Sequence, residues 1–178
     1  MRGGQAARSH DLEHEVEITL EEAFHGAQRL VELDGKRLEV KIPAGVKTGS
    51  RVRVAGASFG GSKSDARGDL YLRINVLPNT TFERRDADLY CEVPVDIFAA
   101  LLGGEVRIPT LSGPLALRIP AGTQAGRTFR LTGQGMPKLR PAGDRGDLYA
   151  KVRVMLPEKL TDQEQKLVRE WAQIRVTA

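Results

Sequence analysis

The sequence is short of several things, and each shortage removes a class of function. Its 178 residues include one cysteine, Cys91, so the chain holds neither an internal disulfide framework nor a cysteine-based zinc site. No apolar stretch approaches the roughly 18 residues that a bilayer span requires. The opening MRGGQAARSHD lacks the apolar core of a signal peptide. These absences lead to the expectation of a soluble, cytoplasmic protein with no membrane partner. No glycine-rich phosphate loop of either common pattern occurs. His10 and His14 are four apart, but in a stretch that reads as linker and strand, where that spacing makes no metal pair. Cys91 has no histidine near it in sequence and reads as a buried structural thiol. Glu21 and Glu22 read as helix-start charges rather than as an acid–base pair. With no constellation for catalysis, the chain is not expected to be an enzyme, and no cofactor or metal is expected.

Charge of one sign is also missing. The net charge is +4, with 40% apolar and 28% charged residues, ordinary values for a globular protein. A pI near 9.4 leaves weak nucleic-acid binding open, but neither half of the chain forms a strongly basic stripe. Most charges read as solvated strand faces.

What is there is a duplication. KIPAGVKTG at 41–49 returns as RIPAGTQAG at 118–126, and GDLY at 68–71 returns at 146–149. The offsets are 77 and 78, and Ile18, Leu20, Ala23, Gly26 and Leu38 match Val95, Ile97, Ala100, Gly103 and Leu115 at the first of them. Two similar units therefore explain most of the chain. Arg-Gly-Asp, found at 67–69 and 145–147, is explained by the same duplication as a strand-entry turn rather than as an adhesion motif.

Residues 1–10 are glycine-rich and polar and read as the remnant of a linker. Alternation of Leu12, His14, Val16, Ile18 and Leu20 with glutamates marks a half-buried strand. Thr19 and Glu22 have the spacing of a capping box, and Gly26 suits the end of a one- to two-turn helix. Strands through Val31 and Leu33 and through Leu38, Val40 and Ile42 flank an Asp34-Gly35 turn. Pro43 breaks the ladder, Arg51 to Val54 resumes it, 55–67 reads as a loop, and Leu70 to Val76 forms the last strand. The fold class is mainly β: two tandem, small, β-sandwich-like domains with one short helix each, at 11–83 and 84–158, followed by an amphipathic helix over 159–178. That helix carries Leu160, Leu167, Val168, Trp171 and Ile174 at helical spacing, with a second capping box at Thr161 and Glu164.

The copies differ where the difference counts. Val31 and Leu33 share one strand face and Leu30 lies on the other, whereas the second copy has Ile108, Thr110 and Arg107 at those places. The surplus apolar face of copy one lines an exposed groove or, on the plainer reading, forms ordinary core with Val16 and Leu72. The terminal helix either folds onto its own domain or joins two chains, as interface tryptophans often do.

DLEHEVEITLEEAFHG, KIPAGVKTGSRVRVAG, GDLYLRINVLP, LLGGEVRIPTLSG, RIPAGTQAGRTFRLTGQGMP and RGDLYAKVRV together resemble the C-terminal substrate-binding region of DnaJ co-chaperones, over about Asp11 to Leu160. The chain contains no His-Pro-Asp tripeptide, so it is not expected to stimulate a DnaK-type ATPase by the family's usual route, and it contains no cysteine-rich insertion, which places the resemblance with the zinc-free, CbpA-like class. The chain is expected to be either a fragment of a longer co-chaperone, which the linker-like start favours, or a stand-alone variant. The resemblance implies a groove for unfolded polypeptides at His14, Val16, Val31, Leu33 and Leu72, with Arg29 suited to the acidic tail of a DnaK-type partner. It also implies a homodimer through the terminal helix. The alternative is weak DNA binding, as some relatives show, through Arg127, Arg130, Lys138, Arg140 and Arg145.

Overall fold

The computed structural model of the chain describes residues 12–33, 36–59, 68–139 and 143–176. In copy one, strand β1 (Leu12–Ile18) leads into helix α1 (Leu20–His25), the hairpin β2 (Ala27–Leu33) and β3 (Lys36–Ile42), and then β4 (Arg51–Phe59) and β5 (Gly68–Val76). β1 lies parallel to β5, β4 lies antiparallel on the other side of β5, and β2–β3 forms a separate two-stranded sheet. Each sheet buries one face against the other, giving a thin sandwich. The alternation along β5 makes this possible: Leu70, Leu72 and Ile74 all point inward and have no exposed surface.

Copy two repeats this plan in β7 (Asp88–Asp96), α2 (Ile97–Leu102), the hairpin β8 (Gly104–Ile108) and β9 (Leu115–Ile119), β10 (Thr128–Leu131) and β11 (Leu148–Met155). β7 and β11 are parallel, as β1 and β5 are. One strand has no counterpart among the described residues of copy one: β6 (Glu83–Arg85) pairs antiparallel with the start of β7, turning through Asp86 at φ 53°. Asp is among the few residues that accept that conformation.

The local signals operate as their chemistry requires. Thr19 Oγ1 accepts from the Glu22 N–H at 3.2 Å, and Glu22 accepts from the Thr19 N–H at 2.9 Å. Such caps contribute about 1 kcal/mol each by satisfying N–H groups that a helix start leaves open. Gly26 and Gly103 end the two helices at φ 79° and 81°, each tight against the following Ile-Pro-Ala turn. Thr161 and Glu164 cap helix α3 (Asp162–Val176) in the same way, with Leu160 half-buried just before it.

Two expectations shift. β4 continues to Phe59 rather than stopping at Val54, with an irregular register between them. The Asp34-Gly35 turn, most of the 55–67 loop and the 1–10 linker lie outside the described residues.

The copies meet at a polar joint. Arg84, half-buried between them, donates to the carbonyls of Val46 at 2.7 Å and Gly45 at 3.2 Å, in the copy-one turn, and to Asp86 O at 2.8 Å. Lys47 stands 3.8 Å from Asp86, and the Arg145 guanidinium lies 5.0 Å over the Phe24 ring.

Candidate functional site

Strand pairing decides where an extended segment can add. Among the described residues, β1 pairs on one side only, with β5, and β2 only with β3. Each keeps an edge of backbone N–H and C=O groups without a strand partner. Between these two strands runs a shallow groove of about 600 Å³, lined by His14, Glu15, Val16 and Glu17 of β1 and by Arg29, Leu30, Val31 and Glu32 of β2.

The floor is apolar. Val31 is 6% exposed and Val16 is half-buried, while Leu30 is 73% exposed on the wall. Leu30 is an isobutyl group on the outer face of a two-stranded hairpin, directly opposite Glu39. A side chain of that size left in water costs up to about 1.5–3 kcal/mol relative to burial. Leu30 is not among the groove residues that the resemblance implies, although it is the apolar group on the second strand face; at a strand edge both faces reach the same cleft. Glu15, Glu17 and Glu32 were missed for the same reason.

Arg29 is held from outside the strand pair. Its Nη2 contacts Glu22 Oε1 at 2.6 Å and Oε2 at 2.8 Å, and Glu22 is itself locked in the helix cap. The hydrogen bond from the Thr19 N–H, and then the Arg29 guanidinium, hold the Glu22 carboxyl below its usual range. Arg29 Nε is buried with no acceptor. A buried donor without an acceptor is costly, so this nitrogen is a local weak point of the strand pair.

The remaining expected groove residues divide. His14 is exposed on the rim. Leu72 is a correction: it sits on the central strand with no exposed surface, so it supports the floor from beneath and touches no occupant. The Leu33 backbone pairs with Lys36, and its side chain lies outside the described part. In copy two the residues matching Val16 and Val31, Val93 and Ile108, are both buried at 2%.

The other candidate sets are dispersed. Leu167, Val168, Trp171 and Ile174 line α3, in which no residue is buried. Of the basic set, Arg130 is tied to Asp147 at 2.6 Å, Arg145 is engaged with Phe24 and with Ser112 at 3.2 Å, and Arg127 lies over Phe129. Lys138 is exposed, and Arg140 lies outside the described residues. Asp147 is buried: it accepts from the Gly133 N–H at 2.9 Å and from Arg130, which lower its pKa in that order, so the second Arg-Gly-Asp is not displayed. Burial raises the Cys91 thiol pKa. Among the described residues no three His, Cys, Asp or Glu side chains gather as a metal site would need, and no helix is long and apolar enough to cross a membrane.

Comparison with known proteins agrees with this architecture. The family model described as DnaJ C terminal domain matches residues 12–157. The chain is 44% identical over 171 residues to Chaperone protein DnaJ 2 of Thermus thermophilus, covering 96% of this chain and 59% of that protein. It is 50% identical over 137 residues to Chaperone protein DnaJ of Methanothermobacter thermautotrophicus and 45% identical over 139 residues to that of Halothermothrix orenii. Those matches cover 77% and 78% of this chain but only 36% and 37% of the relatives. The chain thus spans between about a third and three-fifths of the relatives it matches.

Proposed function

Because the chain belongs to the DnaJ C-terminal domain family, we propose that it is the non-enzymatic peptide-binding part of a co-chaperone, which holds unfolded polypeptides in the β1–β2 groove and passes them to a DnaK-type chaperone. The observation that carries this reading is the coincidence of two open strand edges with an apolar floor. An extended client segment adds as a strand, pairing its backbone with one edge while alternate side chains meet Val16, Leu30 and Val31. Backbone pairing ignores client sequence and the shallow floor asks only for apolar groups, so recognition is broad and each contact weak. The exposed part of the Arg29 guanidinium, which lines the groove, is its contact for an acidic partner tail.

Weak single contacts make valence important. We assign dimerisation to the exposed stripe of α3, so that two grooves act on one client and gain on the order of 10²- to 10⁴-fold in avidity when both engage. DNA binding is the less favoured reading, since Arg130 and Arg145, though exposed, are already engaged with Asp147 and with Phe24.

The test uses an exposed position, so the fold is spared. Leu30→Asp is expected to weaken suppression of client aggregation at least about tenfold with an unchanged melting temperature. Full protection by the variant rejects the groove.

A further inference from the structure

The duplication singles out one pair of residues that the fold does not require. At the 77-residue offset, Thr19, Glu22 and Arg29 of copy one fall on Asp96, Ala99 and Val106 of copy two. Helix α2 starts without a carboxylate that reaches back to its cap. The Asp96 side chain accepts from the Phe98 N–H at 2.8 Å, and Ala99 has nothing to offer. A glutamate at this place is therefore no condition for starting the helix. Glu22 and Arg29 stand together in the copy that has the groove, and both are missing from the other. Two attachments define Glu22. Reciprocal bonds of 2.9 and 3.2 Å tie it to Thr19, and its two oxygens meet Arg29 Nη2 at 2.6 and 2.8 Å. The Thr19 N–H chiefly, and then the guanidinium, hold its carboxyl below the usual range, so it is charged at neutral pH. Glu22 is not part of the groove lining, whereas Arg29, with 42% of its side chain exposed, is. Glu22 thus acts on an occupant through Arg29.

We propose that Glu22 is a positioning residue that sets the charge selectivity of the groove: it fixes the Arg29 guanidinium in place and offsets its charge, so that segments bearing carboxylates are held weakly and segments bearing Lys or Arg are preferred. This rests on the groove reading above and names the source of its selectivity. Competition is the physical reason. A carboxylate on an occupant and the Glu22 carboxylate seek the same guanidinium, and a charge-assisted bond already made must be shared or broken. An apolar or cationic occupant meets no such competitor. The charges in the lining point the same way but act at a greater remove. Three rim carboxylates against one guanidinium leave two net negative charges, and Glu22 makes them three. Of these carboxylates Glu22 is the one bonded to the groove's cation, so its charge falls where an acidic segment would bind.

Glu22→Gln separates the two roles. Glutamine serves a capping box as glutamate does, so the amide oxygen still accepts from the Thr19 N–H or from Arg29, but it carries no charge. Fluorescence anisotropy is measured with two peptides of one apolar core, flanked by Lys or by Glu. The proteins are the full chain, Glu22→Gln, and Glu22→Gln combined with Arg29→Gln, each shown to be folded by circular dichroism. At low salt Glu22→Gln is expected to bind the Glu-flanked peptide about threefold tighter and the Lys-flanked peptide about twofold weaker, as one partly exposed charge allows. In the double variant the gain for the Glu-flanked peptide is expected to vanish, because it acts through Arg29. A merely structural defect weakens both peptides together and produces no opposite shifts. Unchanged affinities, shifts of both peptides in one direction, or a gain that survives the loss of Arg29 overturns the proposal and leaves the groove in place. A parent chain that binds neither peptide removes the groove reading itself.

Discussion

Copy one and copy two carry the same strands around the same turns, yet they differ along one seam. Where β2 presents Arg29 and Leu30, β8 presents Val106 and Arg107, so the apolar and charged residues have exchanged places. In copy two the valine turns inward against the core and the arginine faces water. In copy one the leucine faces water and the arginine reaches back to Glu22. The edges differ too: β6 takes the first three positions of the β7 edge, while β1 has no such neighbour among the described residues. The two copies thus differ by an exchange of two neighbouring residues and, among the described residues, by one short strand on the β7 edge. Function follows that difference rather than the fold.

The sharpest way to break this comparison is to ask which apolar residues of copy one are groove and which are core. Leu72→Ala is expected to destabilise copy one by about 2–5 kcal/mol, the usual cost of a cavity in a packed interior. Val16→Ala, at a half-buried position, is expected to cost about 1 kcal/mol while weakening client binding. Denaturant unfolding and peptide binding, measured on both, separate the roles. If Leu72→Ala left stability unchanged, the floor would not be supported as described.

How much of this was legible beforehand is clearest at these two residues. Alternation places Val16 and Leu72 on inward faces, because side chains change sides at every strand residue. It does not say that β5 is central and β1 an edge, since parallel pairing across some 58 residues leaves no local signature. Alternation alone thus leaves Leu72 as ordinary core, and only the resemblance implied it as groove; it lies fully buried on the central strand. Thr19 with Glu22, and Thr161 with Glu164, were readable because a capping box is local chemistry. β6 was not, as three charged residues ending in a turn at Asp86 carry no apolar alternation. The duplication itself was fully legible, and it supplies the comparison that sets Glu22 and Arg29 against Ala99 and Val106.

The joint between copies offers a second, smaller contrast. Gly45 and Gly122 occupy matching turns at φ 89° and 73°, a conformation that costs a side-chain-bearing residue about 1–2 kcal/mol. Gly45→Ala must also displace Pro137 O, a backbone atom, so it is expected to cost roughly 1–3 kcal/mol more than Gly122→Ala. Thermal unfolding of the two variants reads this directly. Equal losses would mean that the copies do not pack at Gly45.

The finest contrast lies in the charge of the groove. Its lining holds three carboxylates, Glu15, Glu17 and Glu32, against one guanidinium that Glu22 already neutralises in part. Glu32 is loosely paired with Arg37 at 3.8 Å, both well exposed. Such a rim attracts apolar segments flanked by Lys or Arg and works against those flanked by acids, so an acidic partner tail depends on Arg29 for its hold. Each exposed charge contributes only about 0.2–1 kcal/mol, so three together amount to roughly a tenfold preference at low salt. Fluorescence anisotropy with two peptides of the same apolar core, one flanked by Lys and one by Glu, measures it. The preference is expected to fall to about twofold when Glu15, Glu17 and Glu32 are all changed to Gln, and also at about 0.5 M salt, where the screening length drops below the spacing of rim and ligand charges. Tighter binding of the acid-flanked peptide would instead show Arg29 outweighing the rim. The groove would then be tuned first to the partner's tail and only second to clients.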